Sequence, residues 1–224
     1  MMENKGKIII DLCGGTGSWS KPYRDAGYIV HVITLPKYNV TKVEFGTYAM
    51  DFIRQDVHYH DTLCVLYEDV YGILAAPPCT EFSLAKNGAK TPRNLDEGLM
   101  VVEACQKIIW ACRKHKKLAF WAMENPVGLL RQFISIPPFT FRQWEFGDPG
   151  VKPTDIWGYF KHPKKTHTNP PKGITHRYKS GKVNTFAWAA PKPPEWLDKS
   201  GLTRTDLRSI TPPGFAQAFY KANK

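Results

Sequence analysis

Apolar positions along the chain fall first into short continuous runs separated by glycine- and proline-bearing turns. Residues 7–12 (KIIIDL) form a run of the kind shown by a strand buried on both faces. It passes into Cys13-Gly14-Gly15-Thr16-Gly17-Ser18, after which residues 19–26 predict a helix with Gly27 at its C-cap. Residues 28–35 (YIVHVITL) predict a second strand, which completes a βαβ unit. Residues 70–75 (VYGILA) predict another buried strand, halted by Pro77-Pro78. Over residues 94–115, Val101, Val102, Cys105, Ile108, Ile109 and Cys112 make one helical stripe. Residues 118–123 (LAFWAM) predict the next strand. This alternation predicts an α/β fold, an open parallel sheet with helices on both faces, whose ligands bind beyond the carboxyl ends of the strands.

After Pro149 the pattern weakens, and prolines and lysines dominate to about Pro194, which predicts a small irregular insert. The tail, residues 202–223, regains helical character (AQAFYKAN) and is expected to dock back on the sheet.

Composition narrows the picture. The 224 residues suit one medium domain, and 42% hydrophobic with 13% aromatic content excludes wholesale disorder. No apolar run approaches the roughly 18–20 residues of a membrane span. The start, MMENKGKIIIDL, carries no signal-peptide pattern. Five cysteines without a CxxC pair argue against a disulfide scaffold and for a reducing compartment, so the chain reads as cytoplasmic. Of the net charge of +11, most lies in residues 151–182, where eight basic residues (Lys152, Lys161, Lys164, Lys165, Lys172, Arg177, Lys179, Lys182) face one acid, Asp155. Trp157, Tyr159, Phe160 and Tyr178 interleave with them and could stack on bases, a pattern that favours nucleic acid over the alternative of a solvated basic loop. The histidines His58 and His60 with Asp61, and His162, His167 and His176, match no zinc spacing, so no metal is expected.

Three stretches carry candidate chemistry. The turn Asp11 to Gly17 allows close approach of a ligand to backbone, although many such turns carry glycine for steric reasons alone. In Pro77-Pro78-Cys79-Thr80-Glu81-Phe82-Ser83, two prolines fix a cysteine at a strand end, which is either a nucleophile or a buried structural thiol. In Met123-Glu124-Asn125-Pro126, a carboxyl group stranded at an apolar strand end is either a proton donor with a raised pKa or a turn residue. The loop at residues 86–93 (KNGAKTPR) has Gly88 as a hinge and reads either as a closing flap or as a connector.

Taken together, DLCGGTGSW, PPCTEFS and ENP, with the terminal TPPGFAQAFYKAN, resemble the DNA (cytosine-5) methyltransferases, most closely the short members of phages and bacteria. The resemblance covers roughly residues 7–157 and 204–223. It implies a Rossmann-like S-adenosylmethionine-dependent methyltransferase fold with a small basic insert near the C-terminus. The implied division is a catalytic domain at 1–157, a reduced target-recognition region at 158–203, and a C-terminal helix at 204–224 packing back on the catalytic domain. It implies S-adenosyl-L-methionine as cofactor, held by Asp11, Cys13, Gly14, Gly15, Thr16, Gly17, Trp19 and Pro77. Cys79 is the implied nucleophile toward C6 of cytosine, Glu124 the partner of N3, and Asn125 the support of that carboxyl group. Pro78, Ser83, Lys86, Lys152, Lys164 and Lys165 are the implied substrate contacts, and DNA the partner, with RNA or a free pyrimidine nucleotide as the alternative substrate. A nucleic-acid-binding protein without catalysis is the remaining alternative.

The sequence departs from the family in that Cys13 replaces a cofactor-stacking phenylalanine. The second strand ends in Ile33-Thr34-Leu35 without the ribose-binding acid, and a Gln-x-Arg-x-Arg segment is absent. Residues 146–154 take that segment's place, with Lys152 expected near the base.

Overall fold

A computed structural model describes residues 4–56, 61–148, 150–169, 176–177, 183–184, 193–198 and 200–224; at 176–177, 183–184 and 204–205 it describes backbone only. The expected basic insert therefore falls partly outside the described residues, as do Lys172, Tyr178, Lys179, Lys182, His58, His60 and Pro149.

The central sheet is built from β1 (Ile8–Leu12), β2 (Ile29–Ile33), β6 (Val70–Ala75), β7 (Phe120–Pro126), β8 (Phe139–Arg142) and β9 (Pro153–Tyr159), in the order β2-β1-β6-β7-β9-β8. Strands β2, β1, β6 and β7 run parallel, as the buried apolar runs predict. The expectation of a wholly parallel sheet is corrected at the other edge, where β9 pairs antiparallel with both β7 and β8. The physical reason is a short return: β7 leads through a 3₁₀ turn (Leu129–Gln132) into β8 and then β9, with no crossover helix. A bidentate ion pair, Arg131 to the fully buried Asp155 at 2.6 Å from both nitrogens, fastens this return to the sheet.

Alternation along the strands sends side chains to two cores. On one face Ile10, Leu12, Ile73, Ala75 and Met123 pack against helix α2 (Leu95–Arg113). Its buried stripe, Val102, Cys105, Ile108, Ile109 and Cys112, follows the expected spacing, and Asn94 caps it by accepting from the Glu97 amide. The same core takes in a three-stranded antiparallel sheet that the apolar runs did not predict, β3 (Tyr38–Phe45), β4 (Ala49–Arg54) and β5 (Thr62–Leu66). On the other face Ile9, Leu74, Phe120, Ala122 and Ile156 meet α1 (Lys21–Asp25) and α4 (Pro213–Ala222).

Helix α1 is shorter than the expected 19–26, since turn backbone persists to Ser20 and Pro22 then sits in its first turn. The tail docks as expected but as two helices, α3 (Arg204–Ser209) and α4, broken at Pro212-Pro213. Asn223 anchors it by exchanging hydrogen bonds with the Lys161 backbone, at 2.8 and 3.0 Å. Asp148 accepts from the Gly214 amide at the start of α4; burial pushes its carboxyl up to about 6.

Candidate active site

The chain reverses direction across the sheet between β1 and β6, which opens a crevice beyond their carboxyl ends. Its volume is about 460 Å³, within the range of small-molecule sites. The loops after β1, β6 and β7 reach it because those strands are parallel. Lys152 reaches it for the opposite reason: β9 is antiparallel, so the residue that precedes it lies at the same end. Gln143, directly after β8, arrives as the parallel-strand loops do, because β8, antiparallel to β9, runs in the direction of β7.

The glycine turn forms one wall. The Cys13 amide donates to the Ile33 carbonyl at 2.7 Å, and Cys13 itself has φ 55°, a left-handed conformation uncommon outside glycine. Its thiol engages Cys105 of α2, so it stands partly in the core rather than wholly in the crevice. Gly14 is required by contact, for a Cβ there would lie 2.4 Å from the Asp11 carboxyl carbon. Asp11 is fully buried and accepts from the Ser20 hydroxyl at 2.5 Å, while its Oδ1 has no hydrogen-bond partner among the described residues. Burial raises its carboxyl to about 6, against the lowering effects of Ser20 and Arg24. Trp19 closes the wall, packed against Phe215 and Phe219, with its indole N–H likewise unpartnered among the described residues.

Opposite stands the Pro77-Pro78-Cys79 loop. The Cys79 carbonyl accepts from the Phe82 and Ser83 amides at 3.1 and 2.8 Å, a tight turn that presents the half-buried thiol to the crevice. Burial pushes the thiol up, Glu124 adds to that, and Lys152 and Arg208 pull it down. Burial also pushes the Glu124 carboxyl up, opposed by Lys152 and reinforced by Asp155. Lys152 thus acts on both groups.

The structure brings Asp11, Cys13, Gly14, Gly15, Trp19, Pro77, Pro78, Cys79, Ser83, Lys86, Glu124 and Lys152 to this crevice. Thr16 and Gly17 lie outside its lining. Asn125, expected to support the Glu124 carboxyl group, instead donates to the Pro77 carbonyl at 2.9 Å and so ties the end of β7 to the cysteine loop. Lys86 is held by Glu81 at 2.5 and 2.6 Å. Lys164 is exposed away from the crevice, and Lys165 pairs with Glu145 at 2.9 Å beside the Phe139 ring. Among the crevice residues that the sequence reading did not single out are Gln143, Arg208 and Ser209. The docking of the tail gave the only signal for the last two; Gln143 gave none.

No helix among the described residues is long and apolar enough to cross a membrane. No family model matches the chain. It is 31% identical over 126 residues to Type II methyltransferase M.DdeI of Desulfomicrobium norvegicum, a match that covers 54% of this chain. The match spans only 28% of that protein's length. The glycine turn, the Pro-Cys loop and the start of the Glu-Asn pair thus gather at one end of an α/β sheet in a chain that is similar, over about half of its length, to a type II methyltransferase.

Proposed function

We propose that this chain transfers a methyl group from S-adenosylmethionine to C5 of cytosine in DNA through a covalent adduct on Cys79. The observation that carries this reading is that the Cys79 thiol and the Glu124 carboxyl share one crevice with the glycine turn, with Lys152 acting on both. The residues suit the cofactor: unpartnered polar atoms of Asp11 and Trp19 border a glycine turn open to a ligand backbone approach. Asp11, Gly14, Gly15, Trp19 and Pro77 would hold it, and when bound it supplies an electrophilic methyl group. Cys13 is turned toward Cys105, so the aromatic surface on offer is that of Trp19.

The chain's own groups perform the rest. A base flipped out of the duplex enters between Cys79 and Glu124. The Cys79 thiolate bonds to C6 while the protonated Glu124 carboxyl donates to N3, so the electrons of the C5–C6 bond collect at C5. After methylation at C5, a base removes the C5 proton, the C6–S bond breaks, and N3 returns its proton. Burial serves the acid directly, since a raised carboxyl pKa keeps a proton available for N3. It opposes the thiolate, which Lys152 and Arg208 favour. On this reading residues 1–157 carry the reaction, 158–203 serve as a reduced target-recognition region, and 204–224 complete the crevice through Arg208, Ser209 and Thr211.

The test is an oligonucleotide trap. Fluorine at C5 of cytosine blocks the final proton loss, so protein, cofactor and a fluorocytosine duplex should yield an adduct on Cys79 stable to denaturation. Parallel RNA strands and nucleotides identify the substrate class. Absence of an adduct on every substrate, with the cofactor bound, would overturn the mechanism.

A further inference from the structure

A second cavity lies at the end of the sheet opposite the crevice. It is a groove of about 770 Å³ between the C-terminal half of α2, the β3–β4 turn, and the residues that precede or open β6 and β7. Strand β6 has six residues, so roughly 20 Å of sheet separates this groove from the Cys79 loop. A base reacting at Cys79 cannot occupy it.

Its walls combine rings and cations. Trp110 is 60% exposed on α2, with the Arg113 guanidinium 5.4 Å from its ring centre. At the base of the groove the buried Tyr67 and the half-buried His115 stack on one another at 5.2 Å, their ring planes nearly parallel. Phe45, 47% exposed, faces them from the β3–β4 turn. Among the lining residues Lys107, Arg113 and Lys114 stand against a single acid, Glu103, which pairs with Lys107. Exposed rings that keep a free face do not stabilise a monomer; they gain only when something flat and apolar covers them.

We propose that this groove is a second nucleic-acid site, which holds an unpaired stretch of a DNA or RNA strand by stacking bases on its rings while Arg113 and Lys114 neutralise phosphates. Charge selects this occupant over a second copy of the chain. A two-fold interface would set the groove's cations against those of an identical chain that already carries +11. Duplex is disfavoured because its bases are stacked on one another and leave the rings uncovered. The site stands independently of the reaction assigned to the crevice.

The experiment measures binding of a labelled single strand of about ten nucleotides, the scale of single-strand sites, to the full chain without cofactor across a salt series. Arg113→Glu with Lys114→Glu should weaken binding by more than about tenfold and flatten the salt dependence by about two ions. Trp110→Ala should weaken it by about fivefold or more with the salt slope unchanged. Photo-crosslinking with bromouracil strands, as DNA and as RNA, should mark Trp110 or Phe45, the two exposed rings of the groove. The fluorocytosine adduct on a short duplex should persist in both variants, which separates this site from the reaction. Unchanged affinity in the charge variant, crosslinks confined to the crevice, or a dimer abolished by Trp110→Ala would each overturn the proposal.

Discussion

The two ends of the sheet hold contrasting kinds of surface. At the carboxyl end, polar atoms of Asp11, Trp19, Asn125 and Gln143 are buried without hydrogen-bond partners among the described residues, and the acids there are pushed up. At the amino end, Trp110 and Phe45 lie open and the cations sit at the surface, beside the buried Trp121 indole N–H, which also lacks a hydrogen-bond partner among the described residues. Unfulfilled buried polar groups cost stability, on the order of 1–3 kcal/mol each, and are tolerated where a ligand completes them. Exposed rings cost little and mark association. The comparison teaches that one end is organised for chemistry and the other for capture.

The sharpest way to break it is to remove the thiol. Cys79→Ala should lower methyl transfer by more than about a thousandfold while single-strand binding at the groove is retained. Residual turnover near the parent rate, measured with labelled cofactor, would show that the crevice works without covalent addition.

Next comes the acid. Glu124→Gln keeps the shape and removes the proton, and should cost about a hundredfold or more in turnover. The pH profile carries a finer signature. Thiolate with protonated carboxyl has the same number of protons as thiol with carboxylate, so activity should form a bell between the two pKa values. Both are raised. The acid limb should therefore lie above the ordinary carboxylate range and the alkaline limb above the ordinary thiol range. A profile flat down to the ordinary carboxylate range would remove Glu124 from the reaction.

How far these ends could be read from the residues differs for physical reasons. The crevice motifs lie at the ends of continuous apolar runs, and parallel strands force such ends together, so Gly14, Cys79 and Glu124 were legible. Lys152 was expected from the family resemblance, but the reason it arrives, the antiparallel course of β9, lay in a return too irregular to show a period. Gln143 follows β8, a four-residue strand too short to show a period, and Arg208 enters through tertiary docking, which leaves no local pattern. The sheet of β3, β4 and β5 was in principle visible, since Met50 and Phe52 alternate with half-buried Ala49 and Asp51. Strands β3 and β4 mix polar and apolar residues too evenly to form the runs on which the other strands were read. Strand β5 (TLCVL) is such a run, but it stands without the motif that marks the others. The groove depends on that sheet, and so it went unseen as well.

A stability measurement sharpens the carboxyl end. The Asp11 carboxyl is raised from 3.8 to about 6 by burial, so the folded chain keeps a proton that the unfolded chain has released. Stability should therefore fall as pH rises from about 4 to 6 and stay lower above that, by on the order of 2–3 kcal/mol for this one group. Asp148, raised to about 6, acts in the same direction. Asp11→Asn should flatten part of this slope and stabilise the chain at pH 7 relative to the parent, as read by urea unfolding across pH 4–8. An identical slope in parent and variant would mean that Asp11 is not the strained group.

The smallest effect belongs to the groove. Trp110 is 60% exposed on the outer side of α2, whose buried stripe runs through Ile108, Ile109 and Cys112. Trp110→Ala should change unfolding free energy by no more than about 0.5 kcal/mol, because little of the ring leaves water on folding and alanine suits a helix better. A side chain that contributes so little to the fold and yet weakens strand binding is one held for a partner. Loss of more than about 1.5 kcal/mol would instead make Trp110 a member of the core, and the contrast between a catalytic end and a capturing end would collapse on that residue.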